Sequence, residues 1–424
     1  MSYRSTKTPL RFSLTSKMRK TFLRASAFLV ALTAAAYGAD IGLMPGSRAK
    51  LNEALFGQTT WDLVRDCGAV QGGKIDATAA FQYCVNAAQK VGGRVHIPAG
   101  SGFKIAGQVK VTSHIFIEGD GPQGDQVNVL AASGYTASVL VATNIHSAII
   151  AIASDESVTL TDFQISYPVA PATSVPSITL DAGTNGGVHI NPSSDFRNLH
   201  IIGAGIGIET INAETFLFDN LNIQGSAGPA LLLQDVNFPG SGDSTVTNST
   251  FSGASSSGAI SILSGGGLRL FNNKINMPGP NSCTGSSACI GISIIGVVTT
   301  SQGISPLLVD GNSIEGTDYG ILFQQTSTEK IGNVVITGNE LIGSSAGSAI
   351  RVQAHGSAAY VLGMVIAGNF LFQPSTAFIS LSCVSTAVIM ANTFYGSGTA
   401  ISLGSFNDHI VGSSTTNSYG AGVT

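Results

Sequence analysis

The chain has 424 residues, a length that could hold more than one domain, and 43% of them are apolar. Its formal net charge is only −4, and past residue 111 the basic side chains are Arg197, Arg269, Lys274, Lys330 and Arg351 alone. A nucleic-acid groove needs a denser field of Lys and Arg, so nucleic acid is excluded as a partner, and an acidic polysaccharide is a harder ligand for the same reason.

In chain order, the first feature reads as an export signal. Arg19, Lys20 and Arg24 precede an apolar run from Ala25 to Ala36. That is the length of a signal core and too short to span a bilayer. Ala34-x-Ala36 and Ala36-x-Gly38 are cleavage-site patterns, and Met18 is an alternative start. The reading assigns 1–38 to a signal peptide and 39–60 to a linker. It expects a secreted, periplasmic or cell-surface protein with no membrane contact once the signal is cleaved.

Residues 61–121 are expected to form an N-terminal cap and first coil. Asp76 stands where a helix N-cap belongs, ahead of a helix reaching to about Lys90. Ala80, Phe81, Cys84, Val85 and Ala88 make one apolar stripe, and Gly92-Gly93 ends it. Arg94-Val95-His96-Ile97 reads as a strand and Pro98-Ala99-Gly100 as a turn. Cys67 and Cys84 either pair or sit as two buried thiols. His96 and His114 are read as structural, and Trp61 as packing within the cap.

Residues 122–424 are read as a solenoid. Apolar anchors at Leu160, Phe196, Phe218, Val246, Leu270, Val309, Ile336, Ile366 and Ile389 return every 22 to 39 residues. Five positions after each stands another apolar residue: Ile165, Ile201, Ile223, Phe251, Ile275, Ile314, Leu341, Leu371 and Phe394. A period of tens of residues means stacked units, none of which buries a core alone. Each turn carries a further short alternating strand, such as Gly205-Ile206-Gly207-Ile208 or Gly320-Ile321-Leu322-Phe323. Asn273, Asn312, Asn339, Asn369 and Asn392 fall three residues after their anchors. They are expected to stack as a buried ladder at a bend. Cys283 and Cys289 lie in the longest gap between anchors and are expected to close a small disulfide loop. Cys383 is left over, in a strand and packed in the core. No cysteine spacing suggests zinc, and no metal site is expected.

The segments Asp66-Cys67-Gly68-Ala69-Val70, Asp76-Ala77-Thr78-Ala79-Ala80-Phe81-Gln82 and Gly92-Gly93-Arg94-Val95-His96-Ile97-Pro98-Ala99-Gly100 resemble the opening of the pectate-lyase-like superfamily. More narrowly they are similar to the rhamnogalacturonase/epimerase-like pectate lyase domain. Gln71-Gly72-Gly73 and Ala77 depart from that family's acidic turn and second Asp. The resemblance implies an all-β fold: a right-handed parallel β-helix with a short N-terminal helical cap. It implies a carbohydrate polymer as partner and a monomer or homotrimer as the assembly. Calcium enters only through it, and the cofactor is otherwise unknown. The first expectation is a polysaccharide hydrolase or lyase acting on a pectin-like or other extracellular glycan, and the alternative is a non-catalytic glycan-binding adhesin or structural β-helix protein; hydrolases, lyases, epimerases and adhesins share the fold.

The family's catalytic signatures are missing: there is no Asp-Asp, no Gly-His-Gly and no helical Arg-x-Lys. Aligning the short strands instead matches Val188-His189-Ile190-Asn191 with Ile206-Gly207-Ile208-Glu209 and Leu231-Leu232-Leu233-Gln234-Asp235. Glu209 and Asp235 are therefore the candidate acid and base of a hydrolase. His189, Asn191, Gln234, Arg197 and Arg351 are candidate substrate-binding residues. Arg197 and Asp219, at equivalent positions on adjacent turns, are read as a surface ion pair or a carboxylate clamp. Phe370, Phe372, Tyr395 and Phe406 are candidates for stacking on sugar rings.

Overall fold

A computed structural model describes residues 59–122, 137–153, 156–181, 194–213, 215–234, 244–253, 256–264, 267–279, 282–283, 288–295, 306–324, 330–343, 347–353, 360–372, 376–405, 407–412, 417–420 and 423. The expected signal peptide lies outside these residues.

The strands form three all-parallel sheets of 13, 12 and 11 strands. The chain visits one strand of each in turn before stacking the next coil. Parallel strands joined by crossovers wind right-handed in nearly all proteins, and the stack is a right-handed parallel β-helix. The apolar anchors fall on the first sheet and pair in the expected register: Leu160 with Phe196, Phe196 with Phe218, and onward to Ile366 with Ile389. The second apolar column is the second sheet, in register from Ile165 to Phe394. The apolar-x-x-Asn-x-apolar block is thus two strands folded across a bend. Inward side chains of all three sheets fill the bore. Phe196 stacks on Phe218 there, with ring centroids 5.0 Å apart.

The bend works through two adjacent positions. The residue two after each anchor has a left-handed backbone: Asp162, Asn198, Asn220, Asn248, Asn272, Gly311, Gly338, Gly368 and Ala391 all have φ between 50° and 65°, or 48° at Asn198. Gly and Asn recur there because they bear that conformation at least cost. The ladder Asn sits one residue later and is buried. The Oδ1 of Asn339 accepts the main-chain N–H of Asn312 at 2.9 Å, and its Nδ2 donates to the carbonyl of Val309 at 2.9 Å. The same pattern links Ser249, Asn273, Asn312, Asn339, Asn369, Asn392 and Asn417.

The one helix among the described residues, Thr78–Gln89, buries Phe81, Cys84, Val85 and Ala88. Asp76 lies just ahead of it, and its Oδ1 accepts the Thr78 N–H at 3.0 Å. Of the two readings of Cys67 and Cys84 the structure takes the disulfide, and Cys283 and Cys289 are also bonded. Cys383 is buried as expected, but at a bend with φ 60° after the strand Ala377–Leu381, where it was placed in a strand.

Candidate functional site

The third sheet carries the candidate site on its outer surface. Successive side chains in a strand alternate between faces. In Pro176–Asp181, Ile178 and Leu180 are buried while Thr179 and Asp181 face outward, half-buried. In Ile206–Ile211 the outward pair is Glu209 and Ile211, and in Leu231–Gln234 it is Leu232 and Gln234. Glu209 stands in register between Thr179 and Leu232, while Ile211 stands between Asp181 and Gln234. The three polar side chains therefore meet diagonally across adjacent coils.

The Nε2 of Gln234 donates to Oε1 of Glu209 at 2.7 Å. Burial pushes the Glu209 carboxyl above its ordinary value, and the Asp181 carboxylate pushes it the same way.

This register corrects the strand alignment read from the sequence. The neighbour of Ile206–Ile211 is Pro176–Asp181, not residues 188–191, and Gln234 lies two residues further along than its assigned place opposite Glu209. His189, Asn191 and Asp235 lie outside the described residues. Asp181 was missed, although Ile178-Thr179-Leu180-Asp181 has the same apolar-x-apolar-acid form as Ile206-Gly207-Ile208-Glu209.

The two arginines stand elsewhere. Arg197 is on the first sheet, paired in register with Asp219, but its Nε donates to Asp195 Oδ1 at 2.7 Å, so the expected Arg197–Asp219 ion pair is replaced by one within its own strand. Asp219 Oδ1 accepts from Asn248 Nδ2 at 2.9 Å instead. Arg351 is on the third sheet beside Leu322, several strands from Glu209. Its guanidinium lies over the Tyr319 ring, 5.2 Å from the centroid, and donates to the Tyr319 hydroxyl at 2.8 Å. Of the candidate catalytic and polar substrate-binding residues among the described ones, Glu209 and Gln234 come together.

Two other features were singled out from the sequence. In the cap, His96 is held between carboxylates, Nδ1 to Asp62 Oδ2 and Nε2 to Asp120 Oδ1, both at 3.0 Å. A cavity of about 480 Å³ opens beside it, lined by Asp62, Arg65, Val70, Gln71 and Pro98 among others. Phe370, Phe372 and Tyr395 lie on the outer face of the second sheet, and Phe406 is outside the described residues. Among the described residues no three His, Cys, Asp or Glu side chains converge, and no step is assigned to calcium.

Comparison with known proteins agrees with this geometry. Residues 186–366 match the family described as right handed beta helix region. No curated protein matches by sequence. Among solved structures, the A-module of the Azotobacter vinelandii mannuronan C-5 epimerase AlgE6 is similar at 15% identity and a TM-score of 0.51, over 86% of this chain and 98% of that one. The tailspike of E. coli bacteriophage HK620 is similar at 13% identity and a TM-score of 0.51, over 86% and 67%. The Dettilon tailspike is similar at 13% identity and a TM-score of 0.52, over 82% of this chain but only 59% of its own length. At these identities the likeness is one of fold, and by fold this chain is a right-handed parallel β-helix protein.

Proposed function

We propose that this chain is an exported carbohydrate-active protein, a polysaccharide hydrolase whose general acid is Glu209. The observation that carries the reading is the half-buried Glu209 carboxyl, oriented by Gln234 and biased toward protonation by burial and by Asp181. A glycosidase needs one carboxyl that holds its proton and another that stays ionised. In this scheme Glu209 protonates the leaving glycosidic oxygen. Asp181 is the partner carboxyl group, and Asp235, next in sequence to Gln234, is the second candidate for that role. The fold's neighbours support the substrate class, since the mannuronan epimerase is named for a polysaccharide. The two disulfides suit the export reading.

Lyase chemistry has less support, because Arg197 is engaged by Asp195 and Arg351 by Tyr319, both away from Glu209. Non-catalytic glycan binding is the second reading, favoured by the absence of Asp-Asp and Gly-His-Gly and of an Arg-x-Lys within the solenoid. The test is a degradation screen of the purified protein against pectins, alginate and neutral glucans, with and without calcium. New reducing ends without ultraviolet absorbance, lost in Glu209→Gln, are expected. Absorbing unsaturated products would overturn the hydrolase in favour of a lyase. Binding without any cleavage would overturn it in favour of an adhesin.

A further inference from the structure

The second sheet has a surface that the Glu209 site does not use. Outward positions on a strand meet water, yet in the last coils three of them are aromatic. The strand Phe370–Phe372 pairs with Thr393–Tyr395 so that Phe372 stands beside Tyr395, while Leu371 and Phe394 between them point into the bore. Phe370 and Tyr395 keep 39% and 53% of their surface in solvent, so neither ring is a core residue. The three rings are nearly parallel. Phe370 and Phe372 are 6.4 Å apart between centroids and 14° between planes, and Phe372 and Tyr395 are 5.2 Å and 8° apart. On the preceding coil Ile342 extends the patch beside Phe372, and Glu340 stands beside Phe370.

Two observations narrow what such a patch can hold. Three half-exposed rings offer roughly 300 Å² of apolar surface, well short of the roughly 800 Å² per partner in a stable protein interface. The charges nearest it in register, Glu340 and Glu315, are both acidic. Beyond residue 111 the chain has nineteen acidic side chains against five basic ones, which repels a polyanion. A sugar ring presents apolar C–H faces to aromatic carbon and hydroxyl donors to carboxylate acceptors.

We propose that Phe370, Phe372 and Tyr395 form a platform for the sugar rings of an uncharged glycan, separate from the Glu209 face. The proposal rests on the reading that this chain engages a polysaccharide, and it adds where the chain is held and which charge class is taken. The platform lies six coils from Glu209, roughly 30 Å at about 4.8 Å per coil. A polymer that reaches both surfaces gains from effective concentration, and a short oligosaccharide does not.

The experiment measures binding of the full chain to a soluble neutral β-glucan, a galactomannan and polygalacturonate by calorimetry. It compares wild type, Glu209→Gln and the double variant Phe372→Leu with Tyr395→Leu. Leucine keeps the patch apolar but removes the planar rings, and an unchanged thermal midpoint shows that the fold is kept. The expected result is binding to at least one neutral glycan, retained in Glu209→Gln and weakened about tenfold in the double variant, as two ring contacts worth about 0.7 kcal/mol each imply. Undiminished binding in the double variant would overturn the platform and leave the hydrolase reading standing. Tighter binding to polygalacturonate than to either neutral polymer would overturn the charge class. A wild-type dimer or trimer that dissociates in the double variant, seen by sedimentation, would assign the patch to self-association instead. A wild type that neither binds nor cleaves any glycan would bring down both readings.

Discussion

Glu209 is the proposed general acid, and its environment sets two expectations. Replacing it with Gln keeps the shape and the Gln234 contact but removes the titrating proton. Loss of a general acid costs roughly 10²–10⁴ in rate, so hydrolysis by Glu209→Gln should fall at least a hundredfold. The stability consequence has a definite sign. A carboxyl whose folded value is raised stabilises the fold when protonated, so that contribution is complete below about pH 4.5 and is lost as pH rises through the folded value. Thermal midpoints of Glu209→Gln should therefore gain on wild type between acid and neutral pH, and a constant difference would show that burial does not act on this group. His96 titrates in another window. Burial opposes its charge, but hydrogen bonds to Asp120 and Asp62 outweigh that, and its value is raised above 6.5. Its contribution is complete below pH 6.5 and lost as pH climbs through the folded value, with Arg94 and Glu118 on the same face of the sheet. A wild-type midpoint that falls above pH 6.5, and a His96→Gln variant that lacks this fall, are expected. At this scale the sequence marks Glu209 and Gln234 through apolar-x-apolar-polar strand ends. It conceals Asp181, because Val188-His189-Ile190-Asn191 has the same alternation and lies nearer in the chain. Which strand pairs with which is decided by the length of the intervening loop, and alternation carries no information about that.

The strand-bend-strand element was the most legible part of the molecule, for a physical reason. Each coil must place an apolar side chain inward on either side of one tight bend, so the two anchor columns recur with a fixed internal offset while the loops vary. The columns pair in register from Leu160 to Ile389 and from Ile165 to Phe394. What the pattern blurred was the division of labour within the bend. The left-handed conformation belongs to positions such as Gly338, and the buried hydrogen bonds belong to the next residue, Asn339. Removing the Asn339 side chain would orphan the N–H of Asn312 and take a donor from the carbonyls of Val309 and Thr337, the second of which keeps the Gly311 N–H. A buried group left unsatisfied costs about 1–3 kcal/mol, so Asn339→Ala should cost at least about 2 kcal/mol in denaturant unfolding. Asn198→Ala, on the half-buried bend position where the side chain bonds Asp162 and Asn220, should cost less than half as much. Equal costs would mean that the buried ladder has no privileged role.

Across the whole molecule, each coil contacts mainly its two neighbours, so stability is close to a sum of coil and interface terms, and unfolding starts where a neighbour is missing. The N-terminal end is protected by the helix Thr78–Gln89, laid over the first coils with Phe81, Cys84, Val85 and Ala88 facing inward. Its one covalent tether is Cys67–Cys84, which joins the helix to the segment after the first strand, Thr60–Asp62. Gly93 shows how closely this end is packed, since a Cβ there would lie 2.5 Å from the Thr59 carbonyl and 2.6 Å from the Trp61 ring. A bridge across a sequence separation of 17 limits the unfolded chain by about 3 kcal/mol in the loop-entropy account. In a continuous stack that loss should not spread evenly. The Cys67→Ala/Cys84→Ala variant should expose the backbone of Arg94–Ile97 and Ile115–Gly119 to hydrogen exchange sooner, while protection at Ile336 and Ile366, many coils away, stays unchanged. If protection fell equally at both ends, the solenoid would be unfolding as one cooperative block, and the Glu209 face would then depend on the cap directly. If it fell only near the cap, Glu209→Gln and the cap variant should be additive in stability, as independent sites are.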